Sequence, residues 1–347
     1  MPEMIFLMRW DPRVGPLVLG SYPVGEEMSK EFLLNVFGLI IQREEERLEG
    51  FYSVSYGGKN VVAYYSGQAL NQVFGIVLQS GEDEEGFRGA MVRTAVSVFK
   101  KGEPPTSTEE WEHLWRWMNS YPQMNIEQRL GDAFRENEVK KLLSIMLESG
   151  VLTIDEVVDN MRTYFPVLPR DIITTYVHFL EALGIVSTKW DEKALIERVY
   201  LLRDVLFYRK KPEKYEEIAK EVPEYEEKYK NFASRYYEDL WESDQEALPE
   251  LLGDPMSYSV IKIFREKGIL EESDIPSEAS EDLITRLLDL EIIGRERERY
   301  YLIADPSVRF VFPKYTISKV ISRVRNEEIN KDLAIEHLKI MRDSYLS

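Results

Sequence analysis

Short apolar runs with strand character alternate with broad apolar faces at helical spacing along the first hundred residues. Residues 5–10 and 17–22 read as two strands joined by Asp11-Pro12-Arg13-Val14-Gly15-Pro16, whose prolines and glycine favour a turn and interrupt pairing. Residues 29–48 place Phe32, Leu33, Val36, Phe37, Leu39, Ile40 and Ile41 on one face and end in the charged run Arg43-Glu44-Glu45-Glu46-Arg47. That is the pattern of a helix lying on a sheet. Three more strands are predicted at 51–56, 61–66 and 73–79, the first two joined through Gly57-Gly58-Lys59-Asn60. A helix over 82–100 follows, with Phe87, Met91, Ala95, Val96 and Phe99 inside. The predicted class is α+β, a five-stranded antiparallel sheet with helices across it, followed by a mainly helical remainder.

Gly102-Glu103-Pro104-Pro105 stops that helix and places a boundary after residue 103. Ser107 and Glu110 have capping-box spacing, and Trp111, Leu114, Trp115 and Met118 follow as one helical stripe. Trp117 lies off the stripe and is the better docking candidate. From residue 138 the pattern is helix (139–147), a break at Ser149-Gly150, helix (153–165), a proline-bounded turn, helix (170–183) and a strand-like stretch (184–190). Residues 256–304 repeat it loosely: Gly268-Ile269-Leu270 answers Gly150-Val151-Leu152, and Leu290-Glu291-Ile292-Ile293 answers Leu183-Gly184-Ile185-Val186. Only the second copy shows an evident hairpin, residues 292–297 against 299–304. Between the copies the chain reads as charged and helical, with Tyr225, Tyr229, Phe232, Tyr236, Leu240 and Trp241 as an aromatic stripe. The stripe is either core or a partner groove, and the second alternative makes Tyr225, Tyr229, Tyr236 and Trp241 protein-binding candidates. A last helix is expected over 327–345. The expected segments are therefore 1–103, 104–192, 193–253 and 254–347.

The order strand, strand, helix, three strands, helix resembles the longin and roadblock group of profilin-like domains, and the turn at residues 11–16 is similar to the first hairpin of archaeal longin-like proteins. This resemblance covers the first 103 of 347 residues. It implies a dimerisation or docking platform, often for small GTPases, without catalysis. The two later copies resemble winged-helix forms of the helix-turn-helix. Such modules imply either major-groove reading by the third helix or protein interaction. Their third helices are poor readers here: residues 170–183 set Arg170 against Asp171 and Glu181, and residues 280–290 set Arg286 against three acids.

Charge sharpens this picture. The chain carries 62 Asp and Glu against 44 Lys and Arg, a net −18, and each expected segment is acidic. General coating of nucleic acid, which rests on neutralising phosphates, is therefore disfavoured. One stretch departs from the trend: Arg295, Arg297, Arg299, Arg309, Lys314, Lys319, Arg323 and Arg325 face only Glu296, Glu298 and Asp305, with Tyr300, Tyr301, Phe310, Phe312 and Tyr315 interleaved. Cations mixed with aromatics suit phosphate contact combined with base stacking, so these eight are the nucleic-acid-binding candidates.

The absence of cysteine excludes disulfides, zinc ribbons, iron–sulfur clusters and thiol catalysis. His113, His178 and His337 fall on three different predicted helices. Gly57-Gly58-Lys59 lacks phosphate-loop spacing. The acidic runs Glu44-Glu45-Glu46 and Glu82-Asp83-Glu84-Glu85 read as solvated surface. No catalytic, cofactor-binding or metal-binding residue is nominated, and no cofactor is expected. No apolar stretch is long enough to span a bilayer, residues 1–10 read as a strand rather than a signal peptide, and the cytoplasm is the expected compartment. Abundant Glu, Lys, Arg and Tyr without Cys lean towards a thermophilic source, and the resemblance to archaeal longin-like proteins implies an archaeal type.

Three functions follow. The first is a non-catalytic adaptor or regulator, a homodimer or docking platform at its N-terminus, that binds a protein or nucleoprotein partner such as a ribosome. The second is an RNA- or DNA-binding factor, ribosome-associated or a transcription regulator, using residues 295–325. The third is a small-GTPase-associated longin or roadblock protein.

Overall fold

The structure is a computed structural model and describes residues 2–23, 28–41, 50–56, 58–79, 81–82, 84–101, 103–191, 194–277, 279–312 and 314–346. The charged run Arg43-Glu44-Glu45-Glu46-Arg47, Leu48, Gly57, Asp83, Gly102, and the side chains of Leu39, Ile40 and Ile41 lie outside the described residues.

In chain order, β1 (Met4–Asp11) and β2 (Gly15–Tyr22) form a hairpin, followed by α1 (Lys30–Ile41), β3 (Gly50–Tyr56), β4 (Lys59–Tyr65), β5 (Gln72–Leu78), α2 (Glu84–Lys101) and α3 (Thr108–Ser120). Next come α4 (Ile126–Ala133), α5 (Asn137–Ser149), β6 (Val151–Thr153), α6 (Ile154–Tyr164), α7 (Arg170–Ala182), β7 (Val186–Asp191) and β8 (Ile196–Leu201). They are followed by β9 (Asp204–Lys210), α8 (Tyr215–Glu221), α9 (Tyr225–Arg235), α10 (Trp241–Gly253), α11 (Pro255–Lys267), β10 (Ile269–Glu271), α12 (Glu281–Asp289), β11 (Ile293–Glu296), β12 (Arg299–Leu302) and β13 (Asp305–Val311). Last are α13 (Lys314–Arg325) and α14 (Lys331–Leu346). The chain packs into two compact units, one of residues 1–124, 140–204 and 312–347, the other of residues 125–139 and 205–311. The chain passes back and forth between these units.

The first unit is built on an antiparallel sheet of order β2-β1-β5-β4-β3. Alternation along β1 sends Met4, Phe6 and Met8 to one face, where they meet Phe32, Leu33, Val36 and Phe37 of α1. The opposite face is covered by α2 and α7, with Tyr64 set between Phe99 of α2 and His178 of α7. A sheet packed on both faces explains why every residue of β5 is buried. The Ser107–Glu110 capping box forms, and Trp111 of α3 is buried with its indole donating to the Pro105 carbonyl at 3.1 Å.

The two sequence repeats share a hydrogen-bond pattern. Gly150 and Gly268, both at positive φ, cap α5 and α11 by donating to Met146 and Phe264, and accept from Leu201 and Leu302. Ile185 and Ile292 donate to Leu180 and Leu287, and accept from Leu202 and Ile303. Each copy closes as a three-stranded sheet, β6-β8-β7 in the first unit and β10-β12-β11 in the second. The expectation that only the second copy has a hairpin is corrected: β7 and β8 pair over six positions, β11 and β12 over four. Likewise residues 193–253 are not simply helical, because β8 and β9 lie there. Glu197 and Arg198 give β8 a charged opening that disguises a strand, yet Glu197 is buried and Arg198 meets Asp191 across the hairpin at 3.4 Å. The last segment ends in two helices, α13 and α14.

In the second unit, α4 and α10 cross at Gly131 and Gly253; a Cβ on Gly253 would stand 2.4 Å from the Asp132 amide nitrogen and 2.6 Å from the Gly131 carbonyl carbon. The backbones touch because neither residue has a side chain. Nearby, the fully buried Arg209 is held by both oxygens of Asp244, a pair that requires this complete hydrogen bonding to survive desolvation. Among the described residues, no helix is long and apolar enough to cross a membrane.

Gly253→Ala is expected to lower the denaturation midpoint, a loss of about 1–3 kcal/mol or more from overpacking. Gly38→Ala in α1, where an added Cβ meets nothing within 4 Å, should raise stability by about 0.5–1 kcal/mol. Chemical denaturation of both variants checks the crossing, and an unchanged Gly253→Ala would contradict it.

Candidate functional site

Helix α7, the third helix of the first repeat, is committed to the interior. From Asp171 to Leu180, ten consecutive residues of α7 are buried. At its first turn, Asp171 Oδ2 accepts the amides of Ala69 and Leu70, each at 3.0 Å, from the turn between β4 and β5. Burial pushes its carboxyl above the ordinary range, while those two amides and Arg170 pull the other way. One helical turn pair further on, His178 Nδ1 and the Tyr64 hydroxyl lie 2.9 Å apart. In the second unit, α12 is largely exposed, burying only Leu287. Its Glu281, Asp282 and Asp289 outweigh Arg286, whose guanidinium is bonded to Glu250.

The first copy keeps two exposed parts, the outer face of α6 with its following turn and the β7–β8 hairpin. Trp190 stands between two clefts. One, of about 550 Å³, is lined by Ala69, Asp155, Arg170, Asp171, Leu195 and Glu197. The other, of about 620 Å³, is lined by Arg198, Tyr200, Asn330, Leu333 and Glu336. Leu195 at the hairpin tip is 72% exposed and sits at φ +54°, so an apolar side chain is presented on a backbone conformation that non-glycine residues disfavour. The cations here have anionic neighbours: Arg170 with Asp155, Lys189 with Glu336. The Lys189 bond holds the Glu336 carboxyl below its ordinary range.

The eight basic candidates are divided between units. Arg295, Arg297, Arg299 and Arg309 lie on β11, the hairpin tip, β12 and β13 of the second unit, and Lys314, Lys319, Arg323 and Arg325 on α13 of the first. Arg295 lies over the Tyr300 ring and 3.8 Å from Glu272, Arg299 lies 3.6 Å from Glu221, and Arg309 lies over Tyr208. Arg297 is exposed at φ +57°. On α13, Lys319 donates to the Leu147 carbonyl at 3.1 Å, and Arg323 to those of Ser149 and Val151 at 2.7 and 3.0 Å. These two cations complete the C-terminal end of α5. Lys314 and Arg325 are exposed. Tyr300 and Tyr301, expected to be available for stacking on bases, are core residues.

The aromatic stripe also divides. Tyr225 and Tyr236 are buried, as the core alternative for the stripe expects, and Tyr229 packs on Tyr215. Burial pushes the Tyr225 hydroxyl above its ordinary range. Trp241 is half-buried beside Tyr237, which is 78% exposed. Trp117 is half-buried with its ring 5.7 Å from that of Tyr121. Sequence reasoning did not nominate Trp190, Leu195 or Tyr237. Trp190 could have been found as a large aromatic among Lys, Asp and Glu, outside any periodic stripe.

The three histidines are separate: His113 is exposed on α3, and His178 and His337 are buried on α7 and α14. His337 Nε2 donates to the Leu201 carbonyl at 2.9 Å. Its Nδ1 is buried without a hydrogen bond. No protein-family model, curated protein or solved structure matches the chain.

Burial and the nearby Arg323 hold the His337 imidazole below its ordinary value of 6.5. Between the lowered folded value and 6.5 the unfolded chain binds more protons, so stability should fall as pH drops through that window. The slope reaches at most about 1.4 kcal/mol per pH unit. His337→Gln, which keeps a donor for Leu201, should flatten that part of the stability–pH curve. An unaltered slope would contradict the assignment.

Proposed function

We propose that the chain is a non-catalytic adaptor. Its N-terminal layer, read as a longin- or roadblock-like domain, docks or dimerises, and its two helix-turn-helix copies, read as winged helices, grip a protein or nucleoprotein partner. The burial of α7 carries this reading. A winged helix that reads DNA lays its third helix in the major groove with side chains presented to base edges. Ten consecutive buried residues leave α7 little to present. In the other copy, α12 offers phosphate an acidic face. A basic set divided between two units, with Lys319 and Arg323 engaged on carbonyls, further weakens the nucleic-acid alternative. Trp190 and Leu195 are apolar groups of the kind that protein interfaces bury.

The tagged full chain is incubated with lysate of its source organism, untreated and, in parallel, treated with nuclease. The expected result is recovery of a protein partner, reduced about tenfold by Trp190→Ala with Leu195→Ser, each a change that leaves the core intact. Recovery of RNA or DNA instead, weakening steeply with salt and on reversing Arg295, Arg297 and Arg299 to Glu, would replace the adaptor reading with the nucleic-acid one.

A further inference from the structure

We propose that Tyr237 and Trp241 form an aromatic ledge on the second unit that receives arginine side chains from a basic segment of a partner protein. This names the partner chemistry for the adaptor reading and rests on it. The ledge originates in a break of helical phase. Between α9 and α10, residues Tyr236–Leu240 form a π-helical turn, in which the Trp241 amide donates to the Tyr236 carbonyl five residues back. The extra residue rotates the helix by about 100°. Tyr236 thereby stays inward, its hydroxyl accepting the Arg209 amide at 2.8 Å, while the next residue, Tyr237, turns outward and is 78% exposed.

Three rings meet at this corner. Tyr236 supports Tyr237 at 5.2 Å and 64° between planes, and Trp241 at 6.0 Å and 84°. Tyr237 and Trp241 lie 5.8 Å apart, inclined by only 35°. Their packing against a buried ring pre-organises them, so little rotamer freedom is lost when a ligand lies on the exposed faces. Aromatic faces attract cations, and guanidinium groups also stack on them through their planar π-system.

Charge selects the occupant. Glu238, Asp239, Glu242 and Glu246 are exposed along the same stretch. Its one basic residue, Arg235, is bonded to both oxygens of Glu291 at 3.0 and 2.7 Å, and Asp244 is buried against Arg209. Among the described residues, no Lys or Arg forms an ion pair with Glu238, Glu242 or Glu246. The ledge therefore combines ring faces with a surplus of carboxylate, which favours arginine in a protein segment and disfavours the phosphates of nucleic acid.

The test is fluorescence anisotropy of a labelled peptide of alternating arginine and glycine against the full chain, with glutamate–glycine peptide and single-stranded RNA as controls. Tyr237→Ala leaves the net charge of −18 unchanged, so it isolates the ring from general attraction. The arginine peptide should bind about tenfold more weakly to this variant, with an unchanged melting temperature because the ring is exposed. Tyr237→Phe should bind close to wild type, and Glu238→Gln with Glu242→Gln should also weaken binding. Equal affinity of wild type and Tyr237→Ala, or preference for the RNA or the glutamate peptide, overturns the proposal. Capture of the native partner undiminished by Tyr237→Ala overturns this surface alone and leaves the adaptor reading in place.

Discussion

A carboxylate at the first turn of α7 sets the use to which the first repeat is put. Asp171 accepts two backbone amides from the β4–β5 turn, joining the helix to the five-stranded sheet with charge-assisted bonds at the wall of a cleft. His178, two turns on, meets Tyr64 on the same sheet. With both ends of its buried face fixed, α7 completes the covering of the sheet beside α2, while the hairpin β7–β8 and the outer face of α6 stay exposed. A helix that is core to one layer has no face left over for a groove.

The second copy shares the capping glycine and the hairpin hydrogen bonds but has a different centre. Where the first has α6, an eleven-residue helix, the second has only a short turn at Glu272–Asp274 before α12. Its stability comes instead from aromatic packing around Tyr225, Tyr236 and Tyr301, and from Arg209 paired with Asp244. The same hydrogen-bonded frame thus supports a helix turned inward in one unit and an acidic helix turned to solvent in the other.

Most element types were legible in the sequence, because alternation and helical spacing report directly which face is buried. The N-terminal strands and helices, the Ser107 cap and the internal repeat all follow from local pattern. What local pattern misses depends on tertiary contact. β8 was hidden because Glu197 and Arg198 look solvated until the hairpin partner Asp191 is present. Asp171 looked like a surface acid opposing Arg170 until the distant Ala69 and Leu70 amides claimed it. Tyr237 was hidden by a single inserted residue in the helix, which no three-and-four count can anticipate. The basic stretch 295–325 is contiguous in sequence, and its members belong to two units.

The central claim, that α7 is an interior element of the first unit and not a reading helix, is tested most directly by hydrogen–deuterium exchange of the full chain with and without duplex DNA. The account predicts that the α7 amides exchange as slowly as those of β4 and β5, open only together with them, and do not respond to DNA. Rapid, independent exchange of α7, or its selective protection on addition of DNA, would contradict it.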